Sequence, residues 1–237
     1  MKIVETVKKV FLKHGKINPI TPLPYWERKL NQLAKGKALL DTKRIKKSDE
    51  VIYTVYSVRD LLEQNNKQVR NSLLKFDVTW LKNGIIKSPK HKQPFQTFGH
   101  IHEKYRGEFY YILKGHVKFL LSDIYTNKTI VIDAKTDEWI FIHPKFAHRA
   151  IAIDESLFLG IVPEDAGHNY KIIEKNGFPY YVIIKGRKTT YVKNKSLKNT
   201  PYLVEYGIIE QTELPDLAKM EKILNYPDEN RKYYLEI

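Results

Sequence analysis

The 237-residue sequence contains no cysteine and only 2 methionines, and its purely apolar stretches, such as Val182 to Ile184, are a few residues long. Without cysteine there are no disulfides, no thiolate nucleophiles and no metal sites built on Cys, so any metal must be held by His and carboxylate. Such short apolar runs fall far below the roughly 20 residues that cross a bilayer as a helix. The N-terminal MKIVETVKKVFLKHGK is interrupted by Glu5, Lys8 and Lys9 and lacks the continuous apolar core of a signal peptide. A cytoplasmic protein with no membrane partner is the expectation. Acidic residues are also scarce: 27 Asp+Glu face 41 Lys+Arg, a net charge of +14. That surplus suits nucleic acid, a membrane surface or small anionic substrates such as phosphates. It is segregated, because residues 1–50 hold 13 basic against 5 acidic residues whereas 203–237 hold 4 against 8. Part of the imbalance can therefore be matched within the chain or across a dimer.

A hydrophobic content of 42%, including 12% aromatics, is enough for a sizeable core. Val4, Val7, Val10 and Phe11 recur at helical spacing before Gly15, which predicts an amphipathic helix over residues 2–14. Tyr25 to Lys35 reads as a second short helix with Trp26, Leu30, Leu33 and Ala34 on one side. From about Glu50 to Tyr191 the texture becomes a series of short β-rich runs, among them VIYTVYSV, FDVTWL, EFYYIL, VKFLL, KTIVID, EWIFIH, HRAIAI, LFLGIV and YYVIIK. These predict a mainly β antiparallel sandwich or barrel. Ser57 to Leu74 is an exception, a helix or an irregular excursion, and Leu214 to Leu224 reads again as a helix. The expected organisation is a basic helical extension over 1–49, a barrel carrying the site over 50–194, and an acidic extension with a helix over 195–237.

The chemistry concentrates in Gly99-His100-Ile101-His102, with Glu108 six residues beyond. Residues i and i+2 of a strand point to one face, so two imidazoles can converge inside a barrel while a carboxylate approaches from the next segment. His148, in HPKFAHRAIAID, lies between two β runs and can enter the same cavity. Three imidazoles and a carboxylate suit Fe(II), Mn(II), Ni(II) or Zn(II) and leave positions open for a bidentate ligand. The bland alternative is a set of ordinary strand histidines.

The runs TFGHIHEKYRGEFYYILKG, HPKFAHRAIAID and IVPEDAGHNYKIIEKNGFPYYVI resemble the cupin-type phosphoglucose isomerases of archaea over about residues 50–192. The resemblance implies a cupin, a double-stranded β-helix or jelly-roll barrel, to which the helical extensions read from periodicity are attached at both ends. It implies a metal-dependent glucose-6-phosphate isomerase whose metal ligands are His100, His102, Glu108 and His148. The expected cofactor is a divalent ion, Fe(II) first and Mn(II), Ni(II) or Zn(II) otherwise. By the same resemblance Tyr53, Thr79, Thr97, Gly99, His168 and Tyr170 contact the sugar phosphate, Tyr110 lines the pocket, and Glu108, His148 and Tyr110 are the catalytic candidates. A homodimer is implied, and the terminal helices outside the resemblance lead to the expectation that 1–49 or the acidic tail wraps the partner. The chain departs from the family at Asp137, where a glycine turn is usual, at His143-Pro144 in place of a double proline, and at Ala152 in place of asparagine. Its gap between His102 and Glu108 is one residue shorter, and residues 82–95 form a longer, more basic loop.

Competing readings remain at this level. A cupin of the same ligand set can serve another sugar-phosphate isomerase or a dioxygenase, because fold alone does not fix chemistry. A non-catalytic sugar-phosphate or nucleic-acid binder using the basic first fifty residues is a further alternative, although no nucleic-acid motif is present. Proton transfer through Glu108 and direct hydride shift between the substrate carbons are equally open.

Overall fold

The computed structural model of the chain describes residues 2–229 apart from 20–21, 43–44, 46–47, 65, 124, 127, 187, 198–201 and 207–212. Alternation of apolar and polar residues builds two facing sheets. The larger orders its strands as Trp139–Ile142, Glu108–Lys114, Ser156–Pro163, Leu74–Leu81, Val51–Ser57 and Tyr25–Lys29, with every pairing antiparallel. The smaller runs Phe146–Ala152, His116–Asp123, Lys128–Lys135 and Tyr202–Tyr206, the last joining in parallel. Four strands of the larger sheet come first; the chain then crosses to the smaller sheet for His116–Asp123 and Lys128–Lys135 and alternates between the two through Trp139–Ile142, Phe146–Ala152 and Ser156–Pro163, the interleaving of a double-stranded β-helix. The predicted mainly β cupin barrel is the observed fold.

Period-2 alternation assigns the two faces of the larger sheet different tasks. Leu74, Phe76, Val78, Phe109, Leu113, Leu157, Leu159 and Ile161 point outward into an apolar cluster. The N-terminal helix Lys2–Phe11 covers that cluster with Ile3, Val4, Val7 and Phe11, and the helix Leu217–Asn225 adds Leu217, Met220, Ile223 and Leu224. The second helix begins at Asp216, whose carboxylate accepts from the Lys219 N–H at 2.9 Å. With the outer face sealed, the inner face is free to carry polar groups between the apolar contacts of Ile112, Phe119, Leu121, Ile130, Ala150 and Phe158.

One local expectation changes. Tyr25 to Lys29 is a strand rather than the start of a helix, and only Leu30–Leu33 is helical. Aromatic Tyr25 and Trp26 suit a pleated surface, and the unpaired edge of Val51–Ser57 supplies backbone partners that an isolated helix of this length lacks. The segment after Ser57 resolves into two short helices, Arg59–Glu63 and Lys67–Asn71, the second capped by the Asn66 side chain. Asp137 adopts φ 71°, so the turn that favours glycine is made here by aspartate. Its carboxylate accepts from Tyr111 Oη at 3.0 Å and from Lys8 of the N-terminal helix, which turns that departure into an anchor for the helix.

Phe11, fully buried against Tyr56 at a 5.2 Å ring separation, is the deepest such anchor. Phe11→Ala is expected to cost about 3 kcal/mol in equilibrium urea unfolding. A cost below about 1 kcal/mol would mean that the N-terminal helix is not part of the cooperative core.

A candidate metal centre and its cavity

Glu108 opens its strand on the inner face of the larger sheet and is 5% exposed. His148 reaches it from the opposite sheet. His100 and His102 lie on an irregular segment that runs beside His148, held by reciprocal backbone bonds: His100 N–H to His148 O at 3.1 Å and His148 N–H to His100 O at 2.9 Å. The alternation expected for His100 and His102 therefore holds, although the segment makes only isolated bridges. Side-chain ligand atoms of all four residues lie within 4.8 Å of one another. Glu108 Oε2 is 3.0 Å from His148 Nε2, 3.2 Å from His102 Nε2 and 3.8 Å from His100 Nε2.

The outer nitrogens are fixed by backbone. His102 Nδ1–H donates to Arg106 O at 2.6 Å and His148 Nδ1–H to Phe146 O at 3.3 Å, which turns both Nε2 atoms toward the centre. Arg106 is held in turn by both oxygens of Asp165, and the Gly107 N–H donates to Leu224 O at 3.0 Å. The shortened loop before Glu108 is thus tied at both ends.

Burial alone would raise the Glu108 carboxyl, but hydrogen bonds from His102 and His148 outweigh it and hold it well below the usual carboxylate range. Burial, with the neighbouring imidazoles, pushes His100 well down and keeps it neutral. His102 is also pulled down by burial, yet its bond to Glu108 leaves it raised. His100 Nε2 is buried and has no hydrogen-bond partner. An orphaned neutral nitrogen aimed at a carboxylate and two further Nε2 atoms is the donor set of a divalent metal ion, and these four residues fit one.

Beside the cluster opens a cavity of about 750 Å³, counting its mouth. Tyr53, Thr79, Thr97, Gly99, Tyr110, His168 and Tyr170, all expected from the sequence, line it together with His100, Glu108 and His148. His168 lies 4.2 Å from the His100 ring and is driven by burial to about 4, hence neutral. The Tyr170 hydroxyl donates to His168 Nδ1 at 3.4 Å, and burial first of all raises it to about 12. Tyr110 Oη stands 3.4 Å from His148 Nε2 and is raised well above its usual range by burial and by the Glu108 charge, so it stays protonated. Gly99 takes φ 85°, and a Cβ there would meet the Phe178 ring at 2.6 Å. The Thr97 hydroxyl accepts from the Ala150 N–H at 3.0 Å, a structural bond that also fixes its place in the wall.

The structure adds Trp26, Arg28, Lys75, Asp77, Gly160 and Arg149. Arg28 Nε donates to Tyr53 Oη at 3.3 Å, and its guanidinium lies 5.2, 5.7 and 5.5 Å from the rings of Trp26, Phe98 and Tyr170. Among the described residues no carboxylate pairs with it. Arg149, fully buried, donates to Ala38 O and Gln96 Oε1 at 2.9 Å each and to Phe98 O, and it holds the segment leading to His100. Reading Tyr25 to Lys35 as a helix hid Trp26 and Arg28. Lys75 and Asp77 were within reach of the sequence, since they share the alternation that carries Thr79.

A family model described as Glucose-6-phosphate isomerase (GPI) matches residues 28–199. Glucose-6-phosphate isomerase of Thermococcus onnurineus (strain NA1) is 34% identical over 156 residues, 64% of this chain and 76% of the relative. That of Pyrococcus furiosus is 35% identical over 165 residues, 65% and 77% of the two chains. Among solved structures, B. subtilis oxalate decarboxylase aligns with a TM-score of 0.35 and 12% identity over 65% of this chain and 32% of that one. The barrel is identified by its own strand order rather than by that likeness.

Saturation with a divalent ion at a hundredfold excess over Kd is expected to stabilise the fold by about 2.7 kcal/mol, a rise in Tm of roughly 5–10 °C. The gain shrinks at acid pH, where protonated imidazoles cannot ligate. Glu108→Gln and His148→Ala should each lose most of it in differential scanning calorimetry. An equal rise in both variants would place the ion elsewhere.

Proposed function

Because this chain belongs to the glucose-6-phosphate isomerase family, we propose that it interconverts glucose 6-phosphate and fructose 6-phosphate as a metal-dependent aldose–ketose isomerase serving glycolysis and gluconeogenesis. The observation that carries this reading is the convergence of His100, His102, Glu108 and His148 on one point beside a cavity lined by hydroxyls, with the Arg28 guanidinium bonded to Tyr53 of its wall. We assign those four residues as metal ligands, with Fe(II) the first candidate and Mn(II), Ni(II) and Zn(II) behind it. A bound divalent ion supplies a Lewis acid that polarises the substrate carbonyl and stabilises the charge developing on its oxygen.

The isomerisation moves a hydrogen between C2 and C1 while the two oxygens exchange carbonyl and hydroxyl character. Glu108 is divided between two tasks by its geometry. Oε2 faces the imidazoles, whereas Oε1 lies 3.1 Å from the point where a Cβ on Gly160 would stand, and so borders the cavity. In this proposal Oε1 takes the proton from C2 on one face of the enediol and returns it to C1, without Oε2 leaving its partners. The Tyr110 hydroxyl, beside His148, keeps its proton and donates a hydrogen bond to an oxygen at the reacting end, while the proton of the C2 hydroxyl passes to the C1 oxygen.

At the far end, Tyr53, Thr79, Thr97, the Gly99 backbone and Tyr170, with His168 between the two ends, are assigned to the sugar phosphate. Arg28 supplies the positive charge that hydroxyls cannot. Aromatic rings on three sides restrict the guanidinium before the phosphate arrives, which lowers the ordering cost of binding.

The division into a basic segment 1–49, a barrel 50–194 and an acidic segment 195–237 is retained as part of this reading, the outer two bracing the barrel through the strand Tyr25–Lys29 and the helix Leu217–Asn225. A cytoplasmic homodimer is proposed as well. No helix among the described residues is long and apolar enough to cross a membrane, and the exposed Tyr25 and Trp26 on an edge strand offer a surface for two-fold pairing. Light scattering should return twice the chain mass.

A coupled assay forming glucose 6-phosphate from fructose 6-phosphate should show turnover with Fe(II), Mn(II), Ni(II) or Zn(II) restored to stripped protein, and none in His148→Ala. Turnover of glucose 6-phosphate in deuterium oxide should place deuterium at C1 of the fructose 6-phosphate formed, whereas its absence would assign the transfer to a hydride shift. Arg28→Met should raise KM roughly tenfold with kcat little changed, the signature of lost ground-state binding. A fall in kcat at unchanged KM would remove Arg28 from the phosphate.

A further inference from the structure

The cavity wall carries two charged side chains for which the reaction above has no task. Lys75, Asp77 and Thr79 alternate along Leu74–Leu81, and all three line the cavity. On the neighbouring strand Gly160 stands directly beside Asp77 and, on its other side, beside Tyr110. No side chain rises from that middle position. The space is bounded by Glu108 Oε1 and the edge of the Tyr110 ring, each 3.1 Å from where a Cβ would stand. A notch therefore crosses the wall from Asp77 over Gly160 to the reacting end of the cavity.

Asp77 is largely shielded, with its side chain 26% exposed, and stands opposite Ser57 of the next strand. Lys75 Nζ stands 3.8 Å from Asp77 Oδ2, outside direct hydrogen-bond distance. A carboxylate has about four acceptor sites and an ammonium three donors, so both groups retain hydrogen-bonding capacity toward the cavity. As a partly exposed ion pair alone, the two would contribute little to stability. With Glu108 across the notch, a second carboxylate makes this part of the wall unsuited to a phosphate. Neutral hydroxyls are its natural partners. They are also what an open-chain sugar presents between a carbonyl end at the imidazoles and a phosphate end at Arg28 and Tyr53.

We propose that Asp77, with Lys75 beside it, is a specificity-determining residue that binds the hydroxyls in the middle of the open-chain sugar phosphate, Asp77 accepting and Lys75 donating. The pair selects among sugars that differ in configuration at those carbons. This inference rests on the sugar-phosphate reading of the cavity.

The test pairs residue with hydroxyl. Glucitol 6-phosphate, an unreactive open-chain polyol phosphate, its 3-deoxy and 4-deoxy analogues and inorganic phosphate are titrated onto metal-loaded wild type and Asp77→Ala. Fluorescence of Trp26 in the cavity wall reports binding. Loss of one hydrogen bond to a charged acceptor predicts roughly 10- to 100-fold weaker glucitol 6-phosphate binding in Asp77→Ala, but less than about twofold for inorganic phosphate and for the analogue that lacks the bound hydroxyl. Asp77→Asn, which keeps the shape and one acceptor, should fall between, and both variants should melt like wild type. Equal weakening of every ligand, or of none, would overturn the assignment while leaving the isomerase reading intact. Failure of wild type to bind any polyol phosphate or to turn over fructose 6-phosphate would overturn the sugar-phosphate reading, and this inference with it.

Discussion

A nearly water-free carboxylate faced by three imidazoles is the arrangement on which the rest of the site depends. Burying an ion costs several kcal/mol unless charges and hydrogen bonds compensate it closely, and Glu108 is compensated only if His102 and His148 arrive in register. Backbone geometry provides that register. The reciprocal bonds between His100 and His148 fix the separation of two ligands, and the Arg106 and Phe146 carbonyls turn His102 and His148 inward. Arg149, held by carbonyls with no carboxylate among its bonds, locks the segment that carries His100, and its burial lowers it to about 10. A cluster built this way is pre-organised for a cation, because its ligand atoms need little rearrangement to enclose one.

The same constraint explains how the two faces of the larger sheet are used. Polar residues on an inner face subtract from core burial, so stability has to come from elsewhere. The outer face adds to the interior cluster, since two helices at opposite ends of the sequence cover a second apolar cluster there. The helix Leu217–Asn225 does more than cover, since its Leu224 carbonyl receives the Gly107 N–H one residue before Glu108. Segments far from the ligands in sequence thus help to hold the loop that delivers the carboxylate.

Much of this was legible in the sequence, for identifiable reasons. Strand alternation and turn residues announced the barrel, and the His-x-His pair announced one side of the cluster, because both signals have a period of two and survive without tertiary information; Glu108 and His148 entered through their strand context and the family resemblance. What escaped depended on partners. Trp26 and Arg28 looked helical because Leu30, Leu33 and Ala34 follow at helical spacing, and only the free edge of Val51–Ser57 recruits Tyr25–Lys29 as a strand. Gly160 reads as an ordinary weak point in an apolar strand until its neighbours Asp77 and Tyr110 are known. Asp137 stands where the family resemblance led one to expect glycine, and its left-handed turn is supported by Tyr111 and Lys8, contacts that no local pattern reveals.

The central claim is that one ion sits among His100, His102, Glu108 and His148 with its open positions facing the sugar cavity. Anomalous diffraction at the metal edge, from crystals of metal-loaded protein soaked in fructose 6-phosphate, tests it most directly. One strong peak within ligating distance of the three imidazoles and Glu108, with substrate bound beside it in the cavity, is the expected result. A peak elsewhere, or substrate seated away from the peak, would contradict it.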